Sequence, residues 1–552
     1  MEFNPIVDRL SKKDLGAFYT PMPYAKKAAE LVQMAVDRIP DGNDYIILDR
    51  CAGTGNLECA LIGLKDKNGD DLISHCVVST YEYYEYKVLQ ERIGSDVREI
   101  IPPTEANVIY ENGRVANADA MSEDFINNPI IKQYIDNPKC SVILFENPPF
   151  RDASAANKTK DSNSSTKQNF VFGQMSAIKN SFVNSNTSTV RDLTNQFIWS
   201  GVEYYLRQST DSYVLFSPVK WWKNCGIVSL TLKYGYVFNR KYFHAGESAV
   251  MCCLWLNIPD NITRSICLEA FKSNDFHSSV VVTISKCYKT ISEYYQKKIV
   301  GVETNVFCES DGTEICGRKC DGKSYYADDV VCYLTPKGFT LDANNNNLVR
   351  MTHYNNRGTY AIKDNYSIML PLFVAKEYPR NAFYEKGEGC IYFTTADGGD
   401  AYTKDENFLK SCLIYTCLSN QNKCLSFDGS DGRRYQNELC FDNKALALKD
   451  LKKYKANKKT ALDVEEQKLL ELWNKIINEA KKTKNYNSIF NYGVYQIKKE
   501  LNTSKIVGAG KNKKKVYDYP ILNGYLDTLR TMLKNYYKSH ITEKMFAYEL
   551  LK

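Results

Sequence analysis

The sequence predicts an α/β protein built on a mostly parallel sheet. Short apolar runs of strand length, without polar alternation, occur at 45–48, 142–145 and 213–216, as expected for strands that are buried on both faces. Helical stretches lie between them, most clearly over 25–36 and 194–206. Strands that alternate with helices in this way are typical of layered α/β domains.

Composition limits the classes of protein to which the chain can belong. Its 552 residues are 43% hydrophobic and 25% charged, which excludes a disordered or fibrous chain and allows about two to four domains. The longest apolar stretch, 249–258, is much shorter than a membrane span, and the N-terminus has no signal-peptide pattern. The 18 cysteines show no disulfide spacing. We therefore expect a protein of the reducing cytoplasm, with no membrane partner.

The charge distribution sets the C-terminal part of the chain apart. Residues 451–552 contain 22 Lys and Arg against 10 Asp and Glu, although the whole chain has a net charge of only +7. Helical periodicity over 462–477 and 526–536 predicts helices there. Such a charge fits a polyanion, and it fits a solvated helical face equally well. Because the pattern also changes to short strand-like pieces after residue 265, we predict three domains, 1–265, 266–445 and 446–552.

The first motif with a chemical implication spans 48–57, with the sequence LDRCAGTGNL. It combines the end of an apolar strand, the acid Asp49, a turn with Gly53 and Gly55, and the start of a helix. Glycines at such a turn let backbone amides approach a ligand, and the helix N-terminus adds unpaired N–H groups. A Gly-x-Gly turn after a strand fits several nucleotide-binding folds, and it also fits a purely structural tight turn.

The second motif, Glu146-Asn147-Pro148-Pro149-Phe150, directly follows the predicted strand 142–145. Two prolines make a rigid turn at the carboxyl end of a parallel strand, where open α/β sheets bind ligands. The Asn147 carboxamide oxygen and the Pro148 carbonyl can both accept hydrogen bonds from one exocyclic amino group, and Phe150 offers a flat face to an extruded base. These three residues are the predicted catalytic group.

Together with the N-terminal segment 16–21, GAFYTP, these two segments resemble motifs X, I and IV of the S-adenosylmethionine-dependent DNA amino-methyltransferases. Their order matches the gamma group of N6-adenine enzymes. The resemblance covers about residues 10–260. It implies a Rossmann-like methyltransferase core, followed by a mixed α/β target-recognition domain and a helical basic C-terminal region that completes DNA binding. It also implies S-adenosylmethionine as the cofactor, and no metal.

The resemblance further implies how the cofactor is held. Glu82 would accept from the ribose hydroxyls and Asp119 from the adenine amino group of the cofactor. Glu85 lies one helical step from Glu82 and is an alternative for the ribose. Carried over position by position, the cofactor-binding residues are Phe18, Tyr19, Thr20, Pro21, Asp49, Ala52, Gly53, Gly55, Glu82, Asp119 and Asn147.

The sequence departs from the family pattern at Arg50, Glu146 and Tyr84, where a proline, an aspartate and an acid are usual. None of these changes removes a group that the chemistry requires. A long polar segment follows the second motif over 151–195, and structureless segments of such length are typically functional lids or disordered connections. Both interpretations, a lid over a bound base and disorder without function, are open for it.

The chemistry that the resemblance implies is transfer of a sulfonium methyl group to the N6 nitrogen of an adenine. That nitrogen is a poor nucleophile, and acceptors at Asn147 and Pro148 would hold both of its hydrogens as the new bond forms. The adenine must first leave the duplex, at a cost on the order of a few kcal/mol. Stacking on Phe150 and Tyr19 would offset this cost.

Other signals are weaker. A basic run and an Arg pair in a Gly-rich loop are candidates for DNA contact, although any solvated loop would look the same. The DNA-binding candidates are Arg433, Arg434, Lys511, Lys513 and Lys514. Four cysteines that fall close together lack the paired spacing of a zinc site, so we expect no metal there. These are Cys308, Cys316, Cys320 and Cys332.

The sequence thus predicts a sequence-specific DNA adenine-N6 methyltransferase of a restriction-modification system. The implied partners are double-stranded DNA and a separate cognate restriction endonuclease. Because the segment 16–21, which resembles motif X, begins near Met1, we expect a stand-alone enzyme without an N-terminal nuclease. The alternatives are N4-cytosine methylation, a noncatalytic DNA-binding or complex-assembly subunit, and a methyltransferase for RNA or a protein glutamine. The intact Asn147 disfavours the noncatalytic subunit, and the long second domain disfavours the RNA or protein enzyme.

Overall fold

The structure is a computed structural model, and its described residues fall into two compact units. The first unit lies within Met1–Lys286 and Arg380–Glu388, and the second within Cys287–Pro379 and Gly389–Lys552. No helix in the described parts is long and apolar enough to cross a membrane. The residues described are 19–102, 110–111, 114–115, 117–150, 169–183, 185, 187–243, 245–286, 330–334, 359–362, 366–375, 377–378, 382–385, 401–420, 427–428, 434–435, 462–490, 492–508, 513–548 and 550.

The first unit is built around a nine-stranded sheet with the order β11-β10-β8-β9-β7-β6-β1-β2-β3. Strands β3, β2, β1, β6 and β7 are parallel to one another, and so is β10 to β8. Strand β9 runs antiparallel to β7 and β8, and β11 to β10. The strands are β1 Asp44–Asp49, β2 Cys76–Ser79, β3 Glu99–Ile101, β4 Tyr110–Glu111, β5 Arg114–Val115, β6 Cys140–Glu146, β7 Ser212–Ser217, β8 Thr231–Asn239, β9 Ala249–Leu256, β10 Ser265–Phe271 and β11 Ser279–Ser285, of which β4 and β5 form a separate pair.

The chain order of the strands reverses between β1 and β6. Strands β2 and β3 lie on one side of β1, whereas β6 and β7 lie on the other. Open parallel sheets bind ligands at the carboxyl ends of their strands, at such a reversal. Because β1 ends at Asp49 and β6 ends at Glu146, the two sequence motifs meet at this point of the sheet.

Alternate residues of the central strands pack on opposite faces of the sheet. Helices cover both faces, so these strands are buried on both sides and their sequences are continuous apolar runs rather than alternating ones. One apolar cluster contains Ile46, Leu48, Val142 and Leu144, and the other contains Tyr45, Ile47, Ile143 and Phe145.

Helix α1 packs on one face through small residues, among them Ala25, Ala28 and Ala29, which are buried. Helix α8 packs on the other face, and the Asp192 side chain caps its first turn by accepting from the Thr194 backbone N–H. The helices of this unit are α1 Met22–Val36, α2 Asn56–Cys59, α3 Tyr83–Ile93, α4 Glu123–Ile126, α5 Pro129–Ile135, α6 Phe170–Ala177, α7 Thr187–Arg191 and α8 Leu193–Tyr205.

The predicted α/β class with a mostly parallel sheet is confirmed. The sheet continues past the expected boundary at residue 265, because β10 pairs with β8 and β11 pairs with β10. In the polar segment 151–195, residues 151–168 lie outside the described part of the chain. The remainder contains helices α6 and α7, and Val171 and Met175 of α6 are buried in the apolar core. This part of the segment is therefore helical and packed.

The second unit is mixed in its middle and helical towards its C-terminal end, so the helical C-terminal prediction is also confirmed. Its strands form three separate two-stranded pairs among the described residues. The strands are β12 Val330–Leu334, β13 Thr359–Ile362, β14 Phe427–Asp428, β15 Arg434–Tyr435, β16 Ser504–Val507 and β17 Lys514–Tyr517, and the helices are α9 Tyr366–Ala375, α10 Glu406–Leu418, α11 Val464–Ala480, α12 Val494–Gln496, α13 Pro520–Tyr536 and α14 Thr542–Ala547.

A buried carboxylate joins three helices of the second unit. Glu466 of α11 is fully buried and pairs with Lys410 of α10 at 2.7 Å. It also accepts from the Tyr536 hydroxyl of α13 at 2.9 Å and from the Asp463 backbone N–H, which closes a capping box. These helices share one apolar core. Described residues on both sides of the expected boundary at 445 therefore pack together.

Candidate functional site

A pocket opens in the first unit at the carboxyl ends of β1 and β6. Several chain segments that are far apart in sequence converge on it. Among the residues predicted to form the site, Phe18 lies outside the described residues, and Pro21, Gly55, Pro148 and Phe150 do not line the pocket. Those that line it are Tyr19, Thr20, Asp49, Ala52, Gly53, Glu82, Asp119 and Asn147.

The glycine turn after β1 forms the floor beside Tyr19. Gly53 and Gly55 have φ angles of 59° and 80°, which favour glycine. A Cβ at Gly55 would lie 2.9 Å from the Leu89 side chain of α3, so this glycine serves close packing. A Cβ at Gly53 would meet the Tyr19 ring at 3.5 Å. Gly53 therefore packs the turn against the N-terminal segment at Tyr19. The helix that follows the turn is only four residues long.

Asp49 ends β1 in a fully buried position. Its Oδ1 accepts from the Cys51 backbone N–H at 2.7 Å, whereas its Oδ2 has no hydrogen-bond partner within the described residues. Burial, followed by the nearby carboxylates of Glu58 and Glu146, raises the pKa of Asp49 well above its usual range. Burial also raises the pKa of Glu58 to about 7. One proton shared by the two carboxyl groups would relieve this cost.

Glu58 was missed by the sequence prediction. It stands in α2 just after the glycine turn and is 1% exposed. An acid within an otherwise apolar stretch could have predicted that Glu58 is buried beside a polar partner. That this partner is Asp49 can be seen only in the folded structure.

Asn147 is oriented by the N-terminal segment. Its Nδ2 donates to the Thr20 hydroxyl at 2.8 Å. Thr20 in turn is fixed through its carbonyl, which accepts from Asn56 Nδ2 at 3.0 Å. The amide nitrogen of Asn147 is therefore engaged, and its oxygen is the acceptor end of the carboxamide.

Two acids compete for the ribose role, and their surroundings differ. Both carboxyl oxygens of Glu85 are occupied, one by the Tyr19 hydroxyl at 2.5 Å and the other by the Thr80 hydroxyl at 2.9 Å. Glu82 has no side-chain hydrogen bond within the described residues. Burial and then Glu85 raise its pKa, while Arg114 opposes them. The geometry thus favours Glu82 as the acid available to a ligand.

Asp119 lies on the loop that follows β5. Its Oδ1 accepts from the Met121 backbone N–H at 3.0 Å. Burial raises the pKa of Asp119, and the Met121 N–H and Arg114 partly oppose this. The Met121 backbone N–H therefore holds the Asp119 carboxyl group in place at the pocket wall.

Two of the three departures noted in the sequence, Arg50 and Glu146, form one ion pair. Both side chains are fully buried, with Arg50 Nε 2.6 Å from Glu146 Oε1 and Arg50 Nη2 2.9 Å from Oε2. The Arg50 backbone N–H and the Tyr213 hydroxyl also donate to this carboxylate. Arg50 reaches further to Ser200 Oγ and to the Phe197 carbonyl, each at 2.8 Å. The pair joins the residue that follows β1 to the last residue of β6.

Phe150 lies beside the pocket rather than in its wall. Its ring is half-buried against the apolar cluster that includes α1, and the Arg240 guanidinium stands 5.6 Å from the ring centroid. Pro148 is buried. The Pro149 carbonyl accepts from the Thr194 hydroxyl at 3.2 Å, which ties the turn to α8. The stacking role of Phe150 stays a prediction.

Most of the weaker sequence signals fall outside what the structure describes. Arg433 and Lys511 lie outside the described residues, as do Cys308, Cys316 and Cys320. Only the backbone is described for Arg434 in β15 and Cys332 in β12. Lys513 and Lys514 are exposed at the start of β17.

No protein-family model matches the chain, and no curated protein does. Among solved structures, the chain is similar to a putative class I S-adenosylmethionine-dependent methyltransferase from Listeria monocytogenes, with 9% identity and a TM-score of 0.28 over 47% of this chain and 68% of that one. The DrdV–DNA complex matches with 10% identity and a TM-score of 0.34, over 60% of this chain and 36% of that one. The type I restriction enzyme EcoKI M protein matches with 14% identity and a TM-score of 0.26, over 46% and 48%. The chain spans less than half the length of the last two, and likenesses at these scores carry no argument about function.

Replacing Glu58 with Gln should flatten the pH dependence of stability. A neutral Glu58 stabilises the ligand-free fold fully below its ordinary pKa of 4.5, and this contribution is lost as the pH rises to about 7. The shift corresponds to about 3 kcal/mol. We expect the wild-type free energy of unfolding, measured in urea, to fall over this range and that of Glu58→Gln to fall less. The exposed Glu91→Gln is the control, and equal slopes for all three proteins would contradict the assignment.

Removing only one partner of the Arg50–Glu146 pair should lower the free energy of unfolding more than removing both charges. Arg50→Met leaves a buried carboxylate without its cation, which costs about 3–5 kcal/mol. The double variant Arg50→Met/Glu146→Leu removes both buried charges, so we expect its free energy of unfolding to exceed that of either single variant. Urea denaturation of all four proteins measures this. Additive losses would show that the two side chains do not act as a pair.

Proposed function

We propose that the protein is an S-adenosylmethionine-dependent DNA methyltransferase that modifies the N6 amino group of adenine, as the gamma-group motif order implies. One observation carries the proposal. Thr20, the Gly53 turn and Asn147, which come from three separate segments with the predicted motif order, line a single pocket. That pocket lies where parallel α/β sheets bind their ligands. A structural turn alone would not require these segments to meet.

The pocket has the donor and acceptor set that the proposed cofactor needs. S-Adenosylmethionine carries an ammonium group, a sulfonium, a ribose diol and an adenine amine. Apart from a proton that it can share with Glu58, the buried Asp49 carboxyl group has no donor for its Oδ2 within the described residues, which fits a cationic ligand. Glu82 suits the ribose hydroxyls, and Asp119 suits the adenine amine. When bound, the cofactor supplies an electrophilic methyl group.

The chain's own residues position the amine that is to be methylated. Thr20 fixes the Asn147 carboxamide through its nitrogen, so the oxygen can accept one amino hydrogen. Pro148 does not line the pocket, so only its backbone carbonyl, directly after Asn147 in the proline turn, is assigned the second hydrogen in this proposal. Holding both hydrogens favours a tetrahedral nitrogen as the bond forms, and positioning supplies much of the remaining barrier reduction. The Arg50–Glu146 pair keeps this turn in register with the glycine turn.

Two alternatives stay in view. N4-methylation of cytosine uses the same kind of amine and the same acceptors, and the Asn-Pro-Pro-Phe form with its motif order favours adenine. A noncatalytic subunit of a DNA-modification complex would not need an oriented Asn147 beside an acid-lined pocket. The basic C-terminal region, which holds 22 Lys and Arg against 10 acids over 451–552, supports a polyanion such as double-stranded DNA as the substrate.

Identification of the product tests the proposal directly. The full chain is incubated with duplex DNA of mixed sequence and methyl-labelled S-adenosylmethionine, and the DNA is digested to nucleosides. We expect label in N6-methyladenosine. Label in N4-methylcytosine would replace the adenine assignment, and binding of labelled cofactor without any transfer would favour the noncatalytic subunit.

Asn147→Ala should abolish transfer, because the variant lacks the acceptor that holds the amine. Cofactor binding should change little, since Asp49, Glu82 and Asp119 remain. Turnover and the cofactor dissociation constant are measured in parallel. Asn474→Ala, at an exposed position of α11, is the matched control and should retain both. Wild-type turnover in Asn147→Ala would remove Asn147 from the catalytic group.

A further inference from the structure

Strands β16 and β17 form an isolated antiparallel hairpin in the second unit. Lys505 pairs with Val516, Ile506 with Lys515, and Val507 with Lys514. The hairpin is a two-stranded sheet of its own among the described residues. Its base is closed by hydrogen bonds between Thr503 and Asp518, one of them at 2.6 Å from the Thr503 hydroxyl to the Asp518 carboxylate.

The hairpin is exposed on both faces. All described residues over 505–508 and 513–516 are exposed. The apolar ones are included, with exposed fractions of 72% for Ile506, 55% for Val507 and 51% for Val516. A two-stranded hairpin is at best marginally stable by itself. Folding of the unit therefore gives no reason for apolar side chains at these positions.

The charge of the hairpin has one sign. Residues 504–517 contain five lysines and no acid. Within the described residues, no carboxylate lies within ion-pair distance of the lysines at 505 and 513–515. Each face carries both side-chain types, because Lys505 and Lys514 share one face with Val507 and Val516, whereas Lys515 shares the other with Ile506. The ribbon therefore offers cations and apolar contacts together on both sides.

We propose that this hairpin enters the major groove of duplex DNA. A two-stranded ribbon fits the major groove, which is about 12 Å wide. The lysines neutralise backbone phosphates. The face that meets the base edges contacts thymine methyl groups, the apolar feature of the groove, through Ile506 on one face or through Val507 and Val516 on the other. The choice of DNA as the polyanion rests on the proposed function.

The electrostatic part is tested by salt dependence. Affinity of the full chain for a fluorescent mixed-sequence duplex is measured over a range of NaCl concentrations. In the fourfold variant Lys505→Gln/Lys513→Gln/Lys514→Gln/Lys515→Gln, we expect the slope of log K against log salt to decrease by roughly 0.9 for each phosphate that is no longer neutralised. The control removes the same charge from exposed positions in or directly after helices α11 and α13, by Lys468→Gln/Lys475→Gln/Lys481→Gln/Lys534→Gln. Equal slopes for the two variants would overturn the proposal.

The groove part is tested with the charges intact. Replacing every thymine of the duplex by uracil removes the methyl groups and should weaken wild-type binding several-fold. Ile506→Ser/Val516→Ser should be insensitive to this replacement, and a wild-type response in the variant would overturn the groove contact. Phosphatidylserine vesicles serve as a second polyanion. Loss of vesicle binding without loss of DNA binding in the lysine variant would assign the hairpin to a lipid surface and overturn the proposal.

The two proposals can fail separately. If the wild-type chain neither binds nor methylates duplex DNA, the proposed function fails. If it does both and the hairpin variants keep the wild-type salt slope and thymine response, only the hairpin inference fails.

Discussion

The site depends on a buried ion pair between two neighbouring strand ends. Arg50 and Glu146 lie at the carboxyl ends of β1 and β6, where the glycine turn and the proline turn begin. Burying two charges is costly, and such pairs seldom add stability over apolar residues of the same volume. Here the pairing is bidentate, Arg50 also donates to Ser200 Oγ, and the Tyr213 hydroxyl donates to Glu146. The pair is therefore better understood as a constraint on how the two turns are aligned.

The pocket is rich in acids whose ionisation is disfavoured. Asp49, Glu82, Glu85 and Asp119 all line it, and burial raises the pKa of each. A cationic ligand and protons therefore compete for the same carboxyl oxygens. The acids are not equivalent, however. Both carboxyl oxygens of Glu85 accept hydrogen bonds from Tyr19 and Thr80, so Glu85 is structural. Each of the other three acids has an oxygen that can face a ligand.

Charge is distributed unevenly along the chain. The acid-lined pocket belongs to the first unit, and the basic C-terminal residues belong to the second. A polyanion would be repelled by buried carboxylates and attracted by lysines. The second unit has its own core, in which buried Glu466 fixes three helices together. A rigid helical support of this kind can present an exposed hairpin without contributing apolar cover to it.

Much of the fold could be read from neighbouring residues. The apolar runs at β1, β6 and β7 marked buried parallel strands, because helices on both faces remove the need for polar alternation. The glycine and proline turns were likewise predictable, since positive φ angles and fixed φ angles are properties of single residues. The sequence did not reveal where the central sheet ends, because β10 and β11 belong to it only through the pairing of β10 with β8 and of β11 with β10.

The site shows the same division. The sequence by itself determined which residue types stand at the ends of β1 and β6, and so it named Asp49, Gly53 and Asn147. The resemblance to a family added Glu82 and Asp119. Only the tertiary structure decided that Arg50 forms an ion pair with Glu146, that Glu58 lies beside Asp49, and that the Tyr19 hydroxyl donates to Glu85. Strand order and helix packing bring these residues together in space although they are separated in sequence. Such contacts produce no periodic pattern or characteristic spacing that could be recognised in a single sequence.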